Sequence, residues 1–495
     1  MAEGSITIVG LGPGDGQLLT RQAWEVLAAA EVVYLRTARH PAGADLPPAV
    51  RQVSFDHVYE TADDFAAVYA HIVSEIIRLG RAPAGVVYAV PGHPHIGEAT
   101  VVGIVAAANA AGLPVTIVPG ISFVEPVLSA IGVDGLNGLQ LFDAIDVASY
   151  NYPPLSPDAP VLLGQVYSRL MASELKLALM AIYPDEHEVF LVHSAGAAAQ
   201  AVEKVPLYAI DRSPQIDHLS SLYVPAVPVP ASLPALAEAV AVLRGPNGCP
   251  WDQEQTSQSL RSGFLEEASE VLDAIDAADA EALCEELGDL LLHIVMQTQI
   301  AGEEEAFKLT DVVAGIYAKL KRRHPHVWGD WEVADSAEVV TNWARLKAAE
   351  RAANQPSSLL DNIPQALPAL AQAQKIQARV RKVGFDWPDV AGVVAKLHEE
   401  IAEISGAETP AGRQQELGDA LFALVNWARW LDIDAETALR EANRRFTRRF
   451  RYLEQLATGR GQSLAELGLD DLEALWQEAK TALHDAPPGS SWEEA

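Results

Sequence analysis

Glu266–Glu270 reads EEASE and is followed, after fifteen residues, by ELGD at Glu286–Asp289. A second copy of this pattern reads EEIAE at Glu399–Glu403 and is followed, after twelve residues, by ELGD at Glu416–Asp419. The flanking sequence has the apolar period of helices, and residues three or four apart on a helix lie on one face. Each copy therefore predicts two helices that direct carboxylate pairs toward the space between them. Hard divalent cations take oxygen ligands of this kind, so the motif points to a metal site.

A solvent-exposed acidic face is the alternative interpretation of these helices. Exposed Glu is usually matched by Lys or Arg four residues later. Here Glu266 and Glu399 meet Glu270 and Glu403 at that spacing. Clustered like charges destabilise a helix unless a cation neutralises them, so we favour the metal site. Ligation by carboxylates alone favours Mg²⁺, or Mn²⁺, and neither copy has the Glu-x-x-His motif of a di-iron bundle.

The distribution of β-rich and helical sequence predicts a multidomain protein. Residues 1–224 alternate short β-rich runs with helical stretches, which is typical of an α/β domain. The Pro-rich segment 225–234 is a predicted linker, and after it the β-rich runs end. The acidic copies recur at offsets of 133 and 130 residues, which indicates an internal duplication. We therefore expect two all-α helical bundles, residues 235–354 and residues 355–495, the second with a C-terminal tail.

Composition limits the classes of partner. The 495-residue chain has a formal net charge of -32 and a pI of about 4.7, so most of its surface should repel nucleic acid and anionic membranes. Cys249 and Cys284 are the two cysteines, which excludes a disulfide framework and indicates a reducing compartment. The sequence shows neither a signal peptide nor an apolar run of about 18 residues, so we expect a cytoplasmic protein without membrane partners.

Further motifs accompany the acidic copies. The first copy lies among Gly248–Thr256 (GCPWDQEQT), Leu265–Ile275 and Lys321–Val327 (KRRHPHV). The second lies among Val383–Trp387 (VGFDW) and Ala442–Phe450 (ANRRFTRRF). Together they resemble the MazG family of nucleoside triphosphate pyrophosphohydrolases over roughly residues 235–484. The resemblance implies Mg²⁺-dependent cleavage of a nucleoside triphosphate to the monophosphate and pyrophosphate, a way of clearing non-standard nucleotides, by a homodimer or higher homo-oligomer.

The family's motif positions also imply roles for individual residues. In the second copy the implied metal ligands are Glu400, Glu403, Glu416 and Asp419, and in the first they are Glu267, Glu270, Glu286 and Asp289. Glu399 and Glu266 would orient water or complete the metal shell. For phosphate contact the resemblance favours Arg445, Arg449 and Lys480, and for the base it favours Trp476. Salt bridges to neighbouring helices are the alternative for the arginines, and a place in the core is the alternative for Trp476. Because the second copy has this whole set, we expect it to be the stronger hydrolase.

Three Gly-Pro turns follow strands in the α/β half. They are Gly10–Asp15, Pro91–Pro94 and Pro119–Ser122. Asp15 stands where a dinucleotide-binding loop has its third glycine, so an NAD site is not expected. In this order the turns resemble the tetrapyrrole (corrin/porphyrin) methylase family, and most closely the YabN-type proteins that join such a domain to MazG. The resemblance spans about residues 4–224 and implies a two-lobed domain that binds S-adenosylmethionine.

The positions that map to cofactor binding are Gly10, Gly12, Pro13, Gly14, Pro91, Gly92, Gly120 and Ser122. His93 departs from the Asp that is common in methylases acting on tetrapyrroles, which puts that substrate in doubt. Two alternatives to a pyrophosphohydrolase stay open. Methylation of a small molecule could be the main activity, or the chain could be a non-enzymatic regulator that binds nucleotide or S-adenosylmethionine.

Overall fold

The computed structural model describes residues 4–61, 64–353 and 358–483. The chain divides into two compact units, Met1–Thr256 and Ser257–Ala495. The first unit contains all the strands that the structure describes, and the second contains helices. The expected succession of an α/β half and a helical half is therefore confirmed.

The first unit alternates strands and helices. Its strands are β1 (Ile6–Gly10), β2 (Val32–Leu35), β3 (Arg51–Ser54), β4 (Val86–Val90), β5 (Val115–Val118), β6 (Gln140–Asp143), β7 (Val161–Gly164), β8 (Glu188–His193), β9 (Ala201–Pro206) and β10 (Ser220–Val224). Its helices are α1 (Arg21–Ala29), α2 (Asp56–Tyr59), α3 (Phe65–Gly80), α4 (Ala99–Ala111), α5 (Val124–Ile131), α6 (Ala144–Ala148), α7 (Arg169–Leu179), α8 (Leu233–Arg244) and α9 (Pro250–Glu254).

The strands form two sheets, one in each lobe. The first sheet has the order β3-β2-β4-β1-β5, and all its pairs are parallel. The second has the order β6-β7-β10-β8-β9, in which β6 and β7 are parallel and the other pairs are antiparallel. The β-rich runs in the sequence predict six of these strands, β1, β2, β4, β5, β7 and β8.

Four strands lack a clear sequence signal. Three of them, β3, β6 and β9, lie at sheet edges, where one side of the strand has no neighbour and polar residues such as those of RQVS and AVEKVP are tolerated. The fourth, β10, is buried throughout between β7 and β8, although it begins with two serines. Burial by neighbouring strands, rather than its own composition, therefore makes β10 a strand.

The parallel sheet is covered on both faces, as its apolar strands require. Ile8 faces a core formed with α3 and α4, whereas the adjacent Val9 faces a core formed with α1. Because β1 pairs in parallel with β4 and β5, the carboxyl ends of these three strands lie side by side, and loops follow them. The three Gly-Pro turns of the sequence lie at this edge.

The Pro-rich segment 225–234 is attached to the α/β half. The Asp158 carboxylate accepts hydrogen bonds from the backbone N–H of Ala231 at 2.7 Å and from the hydroxyl of Ser232. Ser232 in turn caps α8 by accepting from Ala235 N–H at 3.2 Å. The boundary between the compact units falls later, between Thr256 and Ser257.

The second unit is helical. Its helices are α10 (Arg261–Ala277), α11 (Ala280–Glu303), α12 (Leu309–Arg323), α13 (Pro325–Trp328), α14 (Ser336–Ala353), α15 (Ala369–Val380), α16 (Val390–Gly406), α17 (Pro410–Trp430), α18 (Ala435–Gly459) and α19 (Leu469–Ala482). The two acidic copies form matching hairpins, in which α10 packs on α11 and α16 packs on α17. Short connections with side-chain caps start the second helix of each hairpin, at Asp279 and Thr409.

The apolar residues of the acidic helices are less buried than their period predicts. Val271 and Leu260 are buried, as expected, but Leu265 is 58% exposed and Ile275 is 52% exposed. Residues with the same character in α11 and α17, such as Leu287 and Leu417, are also about half exposed. The described residues therefore leave one apolar side of each hairpin uncovered.

Candidate metal and nucleotide site

The first acidic copy brings three carboxylates together. Glu267 and Glu270 on α10 and Glu286 on α11 each offer an oxygen within 4.8 Å of the others. Burial, and then repulsion from Glu270, raises the pKa of both Glu267 and Glu286. Asp289 adds to the repulsion, which places it close to the group although it is not one of the three. The group therefore holds negative charge that a divalent cation would neutralise.

The second acidic copy repeats the arrangement. Glu400 and Glu403 on α16 and Glu416 on α17 likewise lie within 4.8 Å of one another. Glu400 is only 5% exposed, and Glu403 has a pKa raised first by burial and then by Glu400. Asp419 lies three residues after Glu416 on α17 and is outside the group of three. The predicted ligands thus converge in both copies except for the two aspartates.

A lysine pairs with the second group. Lys396 Nζ lies 2.9 Å from Glu399 and 2.7 Å from Glu400. Lys396 precedes Glu400 by four residues and therefore lies on the same helix face. The position 133 residues earlier is Gly263. The first group instead has the ring of His293, whose Nε2 lies 3.9 Å from Glu267.

The arginines of α18 fall into two sets. Arg444 lies 3.6 Å from Asp276 on α10, and Arg440 lies 2.9 Å from the same carboxylate, so the salt-bridge interpretation holds for Arg444. The Arg445 side chain is half exposed, and its Nη1 lies 3.5 Å from Glu441 Oε2, a long contact for an ion pair. The Nε atoms of Arg448 and Arg449 are buried and have no hydrogen-bond partner among the described residues. The guanidinium groups of Arg448 and Arg449 therefore each keep an Nε–H donor that no described residue accepts.

Trp476 on α19 packs against Phe446 on α18, with ring centroids 4.9 Å apart. Phe446, Phe450, Leu469 and Trp476 line part of an open cleft of about 590 Å³ between the two helices. Trp476 also borders the small core around Leu453 and Leu475. Trp476 therefore belongs to the edge of a core and to the wall of a cleft at once. Lys480, one helical turn later, is half-buried.

The sequence reasoning missed an equivalent set in the first copy. Trp343 and Lys347 on α14 precede Trp476 and Lys480 by 133 residues, the offset of the acidic motifs. In the structure Lys347 Nζ lies 4.6 Å from the centre of the Trp343 ring. The duplication itself was the signal, because extending its offset beyond the carboxylates identifies both residues.

The glycine turns of the α/β half meet at the edge of the first sheet. A Cβ on Gly10 would lie 2.5 Å from the Gly92 carbonyl oxygen and 2.6 Å from Gly120 N, so the three backbones approach too closely for side chains. Gly12 and Gly92 also exchange backbone hydrogen bonds of 3.2 and 2.8 Å. The structure thus brings Gly10, Gly12, Gly92 and Gly120 together, with Pro13 and Pro91 in the same turns.

Other predicted cofactor positions have structural partners. Gly14 lies against the second lobe, because a Cβ there would be 2.1 Å from the Gly196 carbonyl oxygen. Gly12 has a φ of +73° and faces the Leu18 carbonyl oxygen, which excludes other residues. The Ser122 hydroxyl donates to Glu125 and accepts from Val124 N–H. Tight chain packing therefore accounts for several of these residues without a ligand.

Two buried groups near this edge carry no sequence signal. Burial lowers the pKa of His40 to about 4, against the opposing effect of the Gly12 backbone, so the ring is neutral near pH 7. Arg36, which follows β2, forms an ion pair with Glu98, whose side chain is 2% exposed. The guanidinium also donates to the Tyr59 hydroxyl at 3.0 Å.

Comparisons with known proteins divide the chain in the same way. Residues 5–211 match the model of the tetrapyrrole (corrin/porphyrin) methylases, and residues 255–328 match the MazG nucleotide pyrophosphohydrolase domain. The second match covers the first acidic copy, and assignment of the second copy rests on the duplication. None of the described helices is long and apolar enough to cross a membrane.

Individual relatives extend these matches. YabN of Bacillus subtilis (strain 168), an uncharacterized protein, is 40% identical over 96% of this chain and 98% of its own length. The nucleoside triphosphate pyrophosphohydrolase of Escherichia coli (strain K12) is 46% identical over 48% of this chain and 93% of its own length. The structure of uroporphyrin-III-C-methyltransferase from Thermus thermophilus aligns with 45% of this chain and 92% of its own length. The identity is 23% and the TM-score is 0.36, so this similarity is too distant to indicate a ligand.

Proposed function

Because this chain belongs to the family of YabN, we propose that its helical half hydrolyses nucleoside triphosphates to monophosphates and pyrophosphate. The α/β half is like the tetrapyrrole methylases, and the helical half is like MazG. The observation that carries the proposal is the convergence of three carboxylates within 4.8 Å in each copy of the duplicated motif. The first of these groups lies within residues 255–328, which match the MazG nucleotide pyrophosphohydrolase domain.

The carboxylate groups fit a hard divalent cation. Their donors are oxygens, and the pKa values of Glu267, Glu286 and Glu403 are raised by burial and by neighbouring carboxylates. In the second copy Glu400, Glu403 and Glu416 would hold Mg²⁺, with Asp419 and Glu399 beside them. Bound Mg²⁺ would offset the charge of the triphosphate and favour deprotonation of the attacking water.

Side chains of α18 and α19, in the second copy, have the chemistry to bind the rest of a nucleotide. Arg445 and Arg449 on α18 and Lys480 on α19 supply positive charge for phosphate oxygens. Guanidinium groups suit this task because two N–H donors can meet two phosphate oxygens. The cleft beside Trp476 and Phe446 offers aromatic surface on which a base can stack.

The two acidic copies should differ in hydrolytic activity. Arg448 and Arg449 keep donors without partners in the described structure, whereas their first-copy equivalents Arg322 and Arg323 are paired with Glu350. The second copy therefore offers more uncompensated positive charge to an incoming triphosphate. We propose it as the main hydrolase.

A panel of nucleoside triphosphates, assayed for pyrophosphate with and without Mg²⁺, tests the function directly. We expect Mg²⁺-dependent release of equal amounts of monophosphate and pyrophosphate. Release of orthophosphate alone, or no release from standard and non-standard nucleotides, would contradict the proposal. The same panel would show which bases the cleft accepts.

A second copy of this chain is the partner that the helical half requires. Leu265, Ile275 and Leu417 are about half exposed on helices whose period predicts burial. A homodimer, or a higher homo-oligomer, would cover such faces without an additional protein. Sedimentation should therefore give at least twice the 53.0 kDa mass of one chain.

A separate observation favours S-adenosylmethionine binding by the α/β half. The turns after β1, β4 and β5 meet at one sheet edge, which is where open α/β sheets bind ligands, and residues 5–211 match the methylase family. Calorimetry with S-adenosylmethionine, its demethylated product and NAD tests this. Binding of NAD alone would refute it, and binding of the demethylated product would support a methyltransferase.

A further inference from the structure

Two neighbouring arginines at the end of α12 share one carboxylate on α14. Arg322 Nε donates to Glu350 Oε1 at 2.8 Å. Arg323 donates from Nε to the same oxygen at 3.3 Å and from Nη2 to the other oxygen. Because Arg323 and Glu350 have side chains only 14% and 24% exposed, this contact is sheltered from solvent. Guanidinium groups therefore occupy both oxygens of Glu350.

The second copy has the same contact without the carboxylate. Arg448 and Arg449 follow Arg322 and Arg323 by 126 residues, the offset between the first residues of α12 and α18. The residue 133 positions after Glu350 is Leu483, whose backbone oxygen accepts from Arg448 Nη2 at 3.3 Å. Arg448 thus reaches the end of α19 much as Arg322 and Arg323 reach the end of α14. Among the described residues, a carboxylate lies at this place for the first pair and not for the second.

An indole ring adjoins the first arginine pair. The Arg323 guanidinium carbon lies 5.6 Å from the centre of the Trp343 ring, and Lys347 Nζ lies 4.6 Å from it. A lysine and an aromatic face next to a guanidinium pair are groups that can bind the phosphate and base of a nucleotide. A carboxylate and a phosphate accept the same paired hydrogen bonds from arginine. Glu350 therefore lies where a phosphate group would bind.

We propose that the first copy contains a second nucleotide-phosphate site, formed by Arg322, Arg323, Trp343 and Lys347, in which Glu350 takes the place of the ligand's phosphate. This inference rests on the proposed function, since the second-copy equivalents of Arg323, Trp343 and Lys347 are Arg449, Trp476 and Lys480, which are assigned to the nucleotide there. A nucleotide must displace Glu350 before it meets the arginines. Glu350 thus keeps the first site weaker than the second and sets the difference between the two copies.

Calorimetric titration of the full-length protein tests the proposal. The probe is an α,β-methylene nucleoside triphosphate, which resists cleavage, in excess Mg²⁺. Lys480→Ala weakens the second site and serves as the parent. Adding Glu350→Gln, which keeps the size of the side chain, should tighten binding at least about tenfold, or about 1.4 kcal/mol. Adding Lys347→Ala as well should reverse the gain, and Glu304→Gln, at an exposed position, should leave affinity unchanged.

Glu350→Leu provides a second variant, because Leu stands at the equivalent position of the second copy. Unchanged affinity in both variants would show that Glu350 is a structural ion pair and would overturn the proposal. If the unmodified protein still releases pyrophosphate in that case, the proposed function stands and only this inference fails. If the unmodified protein neither hydrolyses triphosphates nor binds the probe, the proposed function fails as well.

Discussion

Lys396 Nζ lies 2.7 Å from a carboxylate oxygen of Glu400, inside the group of acidic residues that the duplicated motif forms. The buried Glu400 carboxylate therefore has a counterion within the chain. Hydrogen bonds to Glu400 and Glu399 raise the pKa of Lys396. At the equivalent position the first copy has Gly263, so the two copies present different net charge to a cation.

Replacement of Lys396 should change metal affinity. Lys396→Gln removes the counterion, and we expect Mn²⁺, followed by its paramagnetic resonance signal, to bind the second group about tenfold more tightly, or about 1.4 kcal/mol. Lys382→Gln removes the same charge from an exposed position and is the control. Equal Mn²⁺ affinity in both variants would mean that Lys396 does not compete with the metal.

Removal of single carboxylates should separate the activities of the two copies. We expect Glu403→Gln to lower pyrophosphate release at least about a hundredfold, about 2.7 kcal/mol of barrier. Glu270→Gln should have a smaller effect, because the first copy is the weaker one. Glu408→Gln, on an exposed connection, controls for loss of charge. A larger loss in Glu270→Gln than in Glu403→Gln would assign the main activity to the first copy.

Loss of the Glu98 carboxylate should destabilise the α/β half. Glu98→Ala leaves the Arg36 guanidinium without its anion in a site where the side chain is 20% exposed. Breaking a buried pair from one side typically costs about 3–5 kcal/mol of unfolding free energy. Denaturant unfolding of the fragment 1–256 measures this. Glu98→Gln, which keeps a hydrogen-bond acceptor, should lose less, and equal losses would show that the charge does not matter.

The contribution of Glu350 should depend on pH. Hydrogen bonds from Arg323 and Arg322 lower the pKa of Glu350 to about 2. A lowered pKa in the folded state means that the stabilisation is complete above the unfolded value of about 4.3 and disappears as the pH falls toward 2. The difference in melting temperature between wild type and Glu350→Gln should therefore be largest above about pH 5.

Thermal unfolding by circular dichroism between pH 2 and pH 7 checks this expectation. Glu304→Gln, which changes an exposed glutamate, should give a difference that does not vary over the acidic range. A difference for Glu350→Gln that grows as the pH falls would have the wrong sign for an ion pair with Arg322 and Arg323.

The sequence predicts the parts of this protein that depend on local spacing. Glu267 and Glu270 are three residues apart, and any helix through them places both carboxylates on one face. The same holds for Glu400 and Glu403, and the ELGD motif adds the facing helix in each copy. Apolar runs likewise predict the central strands of the parallel sheet, since burial on both faces demands them. The duplication offset also contained Trp343 and Lys347, although the acidic motifs alone did not show them.

The tertiary structure decides which distant groups neutralise one another and which faces are covered. Glu350 meets Arg322 and Arg323 from 28 and 27 residues away because α14 folds back along α12. The edge strands β3, β6 and β9 exist because a neighbour supplies their hydrogen bonds, not because their residues favour strands. The helical period predicted that Leu265 and Ile275 are apolar-face residues, but burial depends on a packing partner, which the described chain does not supply for them.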